Sequence, residues 1–171
     1  MPTPANPCKL RPLAQSDLPV FELAYSSRRG AGDHQWFGHG SPGRSLAEMG
    51  VINADGGRLA VTVDDRVIGS ACWFRRIWGP ADTSWCWEIA LHIHAGERGK
   101  GFGAQSVELL VRYLFEHTLA WRIQAITDVA NEASQRMLAR VGFTREGVLR
   151  SAQWREGRWH DQHIYSLLRG D

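Results

Sequence analysis

From Glu88 to Leu119 an apolar-rich strand, a glycine turn and a long amphipathic helix follow one another with no spacer. No other stretch limits the possible folds so tightly. Gly99, Gly101 and Gly103 alternate through the turn. Without Cβ atoms, the backbone there can lie against a ligand with its N–H groups pointing outward. The helix that follows adds unpaired N–H groups and the positive end of its dipole, an arrangement suited to phosphate. Arg98 and Lys100 place two cations beside the same turn. The turn therefore reads as a pyrophosphate cradle.

Three kinds of cradle compete for it. A P-loop needs Gly-Lys-Ser/Thr, but Lys100 is followed by Gly101. Gly99-Lys-Gly-Phe-Gly-Ala104 satisfies the dinucleotide form G-x-G-x-x-A, with Asp128 at the end of a later strand as a candidate ribose ligand. Only 67 of the 171 residues follow Ala104, however, too few for the rest of a doubly wound domain. The third form, Arg/Gln-x-x-Gly-x-Gly/Ala, is an acyl-CoA cradle, and Arg98-Gly-Lys-Gly101-Phe-Gly103 meets it.

The flanking elements follow from local pattern. Residues 1–7 carry three prolines and are expected to be a flexible arm of a single domain spanning residues 1–171. Residues 8–13 suit a strand, and Ser16 and Asp17 are N-cap candidates for a helix through Ala24. Residues 28–43 read as a glycine-rich aromatic loop, either a lid or a mobile connection, with a helix starting at Ser41-Pro42. Period-two alternation predicts strands over 59–63, 67–77 and 84–93, the first two joined at Asp64-Asp65-Arg66. Val107, Leu110, Val111 and Leu114 mark the core face of the helix after the turn. A strand over 123–129, a helix from Asn131 closed by Gly142, and two strands over 145–156 and 158–168 complete the chain.

Composition excludes several classes. Net charge is +2, so bulk charge implies no nucleic-acid surface. No apolar run approaches a membrane span, and the N-terminus lacks a signal pattern, so a cytoplasmic location is expected. Cys8, Cys72 and Cys86 have no metal or disulfide spacing and read as reduced, buried thiols; no metal site is expected. Trp73, Trp85 and Trp87 read as sheet packing.

On these residues the chain resembles the GNAT N-acetyltransferases, whose motif A is this strand, turn and helix. Asn131-x-x-Ser134 with Arg140-x-Gly142-Phe143, and Gly157-x-x-His160-Asp161-x-x-x-Tyr165, are similar to the helix and terminal hairpin of the RimJ/RimL branch. The resemblance implies an α/β (α+β) fold, a mixed central sheet of about seven strands with four helices. It implies acetyl-CoA as co-substrate, held by Leu91, His92, Ile93, Arg98, Gly99, Lys100, Gly101, Phe102, Gly103, Asn131 and Ser134. The acceptor would be the amine of a protein N-terminus or of a small molecule such as a polyamine or antibiotic, and a homodimer is expected. A CoA-binding module without activity is the alternative. Two positions depart from the family pattern: Ala95 replaces a proline before the cradle, and Leu138 replaces a tyrosine that serves many relatives as general acid.

Direct transfer to an amine needs a base, because the amine is protonated near pH 7, and N–H donors for the oxyanion. A splayed strand at residues 91–93 would supply the donors. Alternation places Glu88, Ala90 and His92 on one face. Glu88 is then either the base, directly or through water, or one half of a salt bridge to an arginine such as Arg75 or Arg150. With Leu138 unable to donate a proton, Ser134 or Tyr165 is left as the acid; Ser134 and Asn131 also have purely structural readings as helix-turn and N-cap residues.

Overall fold

Alternating apolar residues and two tight turns build the sheet; a computed structural model describes residues 7–37 and 52–171 of the chain. Strand β1 (Lys9–Pro12) leads through a 3-10 turn (Gln15–Asp17) into α1 (Leu18–Tyr25) and the single-turn α2 (Arg28–Ala31). Strands β2 (Ile52–Asn53), β3 (Gly56–Val63), β4 (Arg66–Ile77) and β5 (Trp85–Ile93) form an antiparallel run. After the turn come α3 (Phe102–His117), β6 (Arg122–Asp128), α4 (Glu132–Val141), β7 (Thr144–Arg155) and β8 (Arg158–Leu168). The sheet order is β1-β3-β4-β5-β6-β8-β7, with β2 paired to β3. Among the described residues only the β5–β6 pair is parallel, because α3 carries the chain back between them.

The hairpin turns use residues that tolerate positive φ. Asp64 and Asp65 stand at 49° and 61° between β3 and β4, and Glu156 and Gly157 at 52° and 79° between β7 and β8. Such turns match the twist of the strands they join. One face of the sheet packs against α3 and α4, where Leu110, Leu114, Ile68 and Ile123 are completely or almost completely buried. A smaller cluster of Leu13, Phe21 and Ala60 seats α1 on the opposite face. At about 25 cal/mol per Å² of apolar surface, the leucine, isoleucine and phenylalanine side chains among these contribute about 1.5–3 kcal/mol each.

Several elements differ from the sequence reading. The stretch read as a loop from residue 28 contains α2, nucleated by Ser27, whose Oγ accepts the Gly30 N–H at 3.2 Å. Strand β2 has only two residues, too few to show a period. Asp17 does not cap α1 with its side chain: its carboxylate accepts the Ala14 N–H at 2.8 Å and the Arg11 guanidinium at 2.7 and 2.8 Å. The helix expected at Ser41-Pro42, the end of the 28–43 loop and most of the N-terminal arm lie outside the described residues. The sheet is mixed and largely antiparallel, which removes the doubly wound dinucleotide fold. The three cysteines are free and buried. Trp73 and Trp87 are core residues, as their place in the meander implied.

Candidate active site

The central sheet opens between its two parallel strands. The β5–β6 ladder pairs Trp87 with Ile123, Glu88 with Gln124 and Ile89 with Ala125, and ends there. Strand β5 stays paired to β4 as far as Ile93, and β6 stays paired to β8 as far as Asp128, so the two inner strands diverge into a slot. The carbonyls of Leu91 and Ile93 face the slot. Gln35 Nε2 donates to the first at 3.1 Å and Arg98 Nε to the second at 2.8 Å. The His92 carbonyl points the other way, toward β4, where a Cβ built on Gly69 would come within 2.2 Å of it. Strand alternation therefore aims the N–H groups of Leu91 and Ile93 into the opening.

At the end of β5, Gly99 and Gly101 have φ of 76° and 87° and turn the chain sharply into α3. Gly101 is the N-cap of α3, and no side chain caps that end, so the first-turn N–H groups of a 16-residue helix stay available. Phe102 is buried beneath the turn. Gly103, in the first turn, lies between Leu91 of β5 and Met137 of α4; an added Cβ would meet them at 3.6 and 3.8 Å. The backbone thus forms a cup at one end of the slot, with the free N–H groups of the first helical turn beside it. The neighbouring cations are engaged within the protein. Lys100 pairs with Glu97 at 2.9 Å, and Glu97 also takes Arg66 at 2.6 Å; these two cations hold the Glu97 carboxyl below its ordinary range. Arg98 folds back, donating to Ile93 O and, at 2.5 Å, to Gly30 O, so it ties α2 to β5.

Helix α4 begins on the other side of the slot. Asn131 caps it, its Oδ1 accepting the Ser134 N–H at 3.2 Å. Ser134 lies one turn before Met137 and Leu138, on the same side of the helix. Leu138 is buried in the core. Tyr165 is also a core residue, 5% exposed, with its ring edge toward His163.

On the opposite face, Glu88 and His92 flank Ala90, a small exposed residue in the middle of a central strand, and Ile126 is exposed beside it on β6. These residues share the sheet face that borders the slot. Glu88 does form an ion pair, but with Arg76 (2.8 Å), not with Arg75 or Arg150. Alternation accounts for this: Arg75 falls on the other face, stacked on Trp85 with its Cζ 5.0 Å from the ring centroid. The second Glu88 oxygen accepts Gln124 Nε2 at 2.8 Å. His92 is buried against Tyr25, with Nε2 3.0 Å from Gly30 O, and presents neither ring nor carbonyl to the slot.

The family profile described as acetyltransferase (GNAT) domain matches residues 8–144. The chain belongs to the GNAT family. Probable N-acetyltransferase YjcK of Bacillus subtilis is 32% identical over 108 residues, 63% of this chain and 58% of that protein. The chain thus spans somewhat under three-fifths of that curated relative's length. Among solved structures, RimL, a ribosomal L7/L12 α-N-protein acetyltransferase in complex with coenzyme A, superposes with a TM-score of 0.76 at 18% identity, over 98% of this chain and 96% of that one. Spermidine N-acetyltransferase from Vibrio cholerae, with CoA and spermine, gives 0.79 at 19% identity over 94% and 95%. The GNAT fold of the chain is shared with both.

This GNAT chain also contains a polar cluster that its sequence did not reveal. Asp128, at the slot end of β6, is 3% exposed and binds Arg155 at 2.7 Å; Arg155 is itself 4% exposed. His160 Nδ1 stands 3.3 Å and His34 Nδ1 3.9 Å from the same carboxylate oxygen. Arg155 also donates to the His34 carbonyl at 3.1 Å. Burial raises the Asp128 carboxyl, but the Ala130 N–H and Arg155 outweigh it and leave it below its ordinary range. Asp128 is therefore a buried ion-pair member, not a ribose ligand. Asp128 and His160 could be picked out in the sequence; the arginine between them could not, because it depends on the register of the β7–β8 hairpin.

Proposed function

We propose that this chain transfers an acetyl group from acetyl-CoA to the α-amine of a protein or peptide N-terminus. The observation that carries the reading is the slot itself: inward N–H groups at Leu91 and Ile93, running from an uncapped, glycine-rich helix start to a carboxylate at Glu88. A cup in which two glycines take positive φ, followed by free helix N–H groups, fits a pyrophosphate, and a widening strand pair fits an extended amide-bearing arm. The backbone from Gly99 to Gly103 and the first turn of α3 would hold the phosphates. The Leu91 and Ile93 edge would hold the arm, with Asn131 and Ser134 opposite. Acetyl-CoA, when bound, supplies an acetyl group already activated as a thioester.

The chain's own residues supply the rest. Glu88 accepts the proton that the ammonium group must lose, directly or through one water. The Leu91 and Ile93 N–H groups are fixed donors for negative charge developing at the carbonyl oxygen. As the C–S bond of the thioester breaks, the departing CoA thiolate would take a hydrogen bond from the Ser134 hydroxyl, at the first turn of α4. A peptide amine is favoured over a polyamine because Asp128, the carboxylate at the slot end of β6, is buried and already paired with Arg155. A second ammonium group of a polycation would have to displace that partner.

The test is a steady-state assay with acetyl-CoA and peptides beginning Ser, Ala or Met, alongside spermidine and simple amines, with products identified by mass spectrometry. Acetylation at the peptide α-amine is expected. Product from spermidine alone would overturn the acceptor class. A CoA-dependent rise in Tm with no product from any amine would mark a binding module. Glu88→Gln at saturating acetyl-CoA should lose roughly a hundredfold in turnover, partly recovered toward pH 9 as free amine becomes available.

A further inference from the structure

Gln124 faces Glu88 across the β5–β6 ladder and is only 2% exposed. A buried glutamine can turn either its carbonyl oxygen or its amide nitrogen toward a neighbour, and toward a carboxylate the first repels while the second binds. Two donors decide the orientation here. The indole Nε1–H of Trp78 and the thiol of Cys86 both reach Gln124 Oε1 at 3.2 Å. Burial pushes the Cys86 thiol up, which keeps it an S–H donor. With Oε1 engaged, Nε2 is turned to Glu88 Oε2 at 2.8 Å.

We propose that Gln124, oriented by Trp78 and Cys86, is a positioning residue that holds the Glu88 carboxylate in its proton-accepting orientation at the closed end of the slot. The inference rests on the reading of Glu88 as the proton acceptor. Arg76, the other partner of Glu88, has a side chain 53% exposed and holds it loosely by comparison. Gln124 belongs to the strand whose departure from β5 creates the slot, so it fixes the carboxylate relative to the opening. The charged and titratable groups facing Glu88 are Arg76 from β4 and Cys86 along β5. Arg122 of β6 lies beside Cys86 and is itself bound to Glu146 of β7.

The experiment compares pH profiles of kcat, at saturating acetyl-CoA and peptide, for the full chain and for Glu88→Gln, Gln124→Met, Gln124→Glu and the double variant Glu88→Gln/Gln124→Met. Gln124→Met should lower kcat roughly ten- to a hundredfold while KM for acetyl-CoA changes little, as expected for a misplaced but intact base. Gln124→Glu sets a second carboxylate against the first; the two share a proton, and the acidic limb should move up by roughly 1–2 pH units. The double variant should be no slower than Glu88→Gln alone, because the two residues act as one unit. If Glu88→Gln loses turnover while both Gln124 variants keep wild-type kcat and pH profile, Gln124 only packs the sheet. The inference then fails and the base reading stands. If Glu88→Gln turns over normally, both fail together. Should the Gln124 variants not fold, Trp78→Phe removes one orienting donor from an exposed side chain. A several-fold loss of kcat is expected there, and an unchanged profile would overturn the proposal.

Discussion

His92 is held between α2 and β5 at 5% exposure, its Nε2–H donating to the Gly30 carbonyl and its Nδ1 buried with no hydrogen-bond partner among the described residues. Protonation would add a second N–H at a nitrogen with no hydrogen-bond partner among the described residues, close to the Arg98 guanidinium, 3.4 Å from Nε2. Burial is the main cause that lowers its pKa from an ordinary 6.5 to about 4, and Arg98 and His94 add to it. The folded state thus resists a proton that the unfolded chain accepts readily. Between pH 6.5 and about 4 the unfolded state binds more protons, so stability falls as pH falls through that window and levels off below it. At 1.36 kcal/mol per pKa unit the full effect is about 3 kcal/mol, of which about 2 kcal/mol is lost on going from pH 7 to pH 5. The assay is urea unfolding of the wild type and His92→Gln at both pH values. Carboxylates and His94, whose own pKa burial also lowers, contribute to both proteins and cancel in the comparison. The wild type should lose about 2 kcal/mol more than the variant; equal losses would refute the reasoning.

Three further outcomes are expected. Gly101→Val forces a β-branched residue to φ of 87° at the start of α3; a folded variant should bind CoA at least tenfold more weakly by calorimetry. Asp128→Asn leaves Arg155 buried without its anion and should cost about 3–5 kcal/mol in denaturant unfolding. Arg98→Ala removes the link between α2 and β5, so hydrogen exchange at residues 28–33 should accelerate without CoA present, and Arg98→Lys should restore little because a lysine lacks the forked donors that reach Ile93 and Gly30 together.

What the sequence made legible was local. Alternation located β3 to β5 and β8 to within a few residues, the Asp64-Asp65 and Glu156-Gly157 pairs marked their turns, and helical spacing marked α3. The cup was legible because glycines, a strand end and a helix start are contiguous. Side-chain direction was less so. Arg98 was expected to face phosphate, but a long side chain beside a sharp turn can fold either way, and here two backbone carbonyls receive it. The partners of Glu88 and Asp128 depend on strand register over separations of 36 and 27 residues, and no local pattern encodes that. Strand β2, with two residues, and helix α2, with four, each span about one period, so the signal that would announce them never repeats.

The three-pair ladder between β5 and β6 has a mechanical consequence. Nine register pairs join β4 to β5 and seven join β6 to β8, so the sheet is two stiff leaves bound along a short spine. Any ligand that offers hydrogen-bonding groups to both edges of the gap lengthens that spine and makes the leaves one body. Occupancy is then felt far from the contacts themselves, as slower exchange of amides in both leaves and a later unfolding transition.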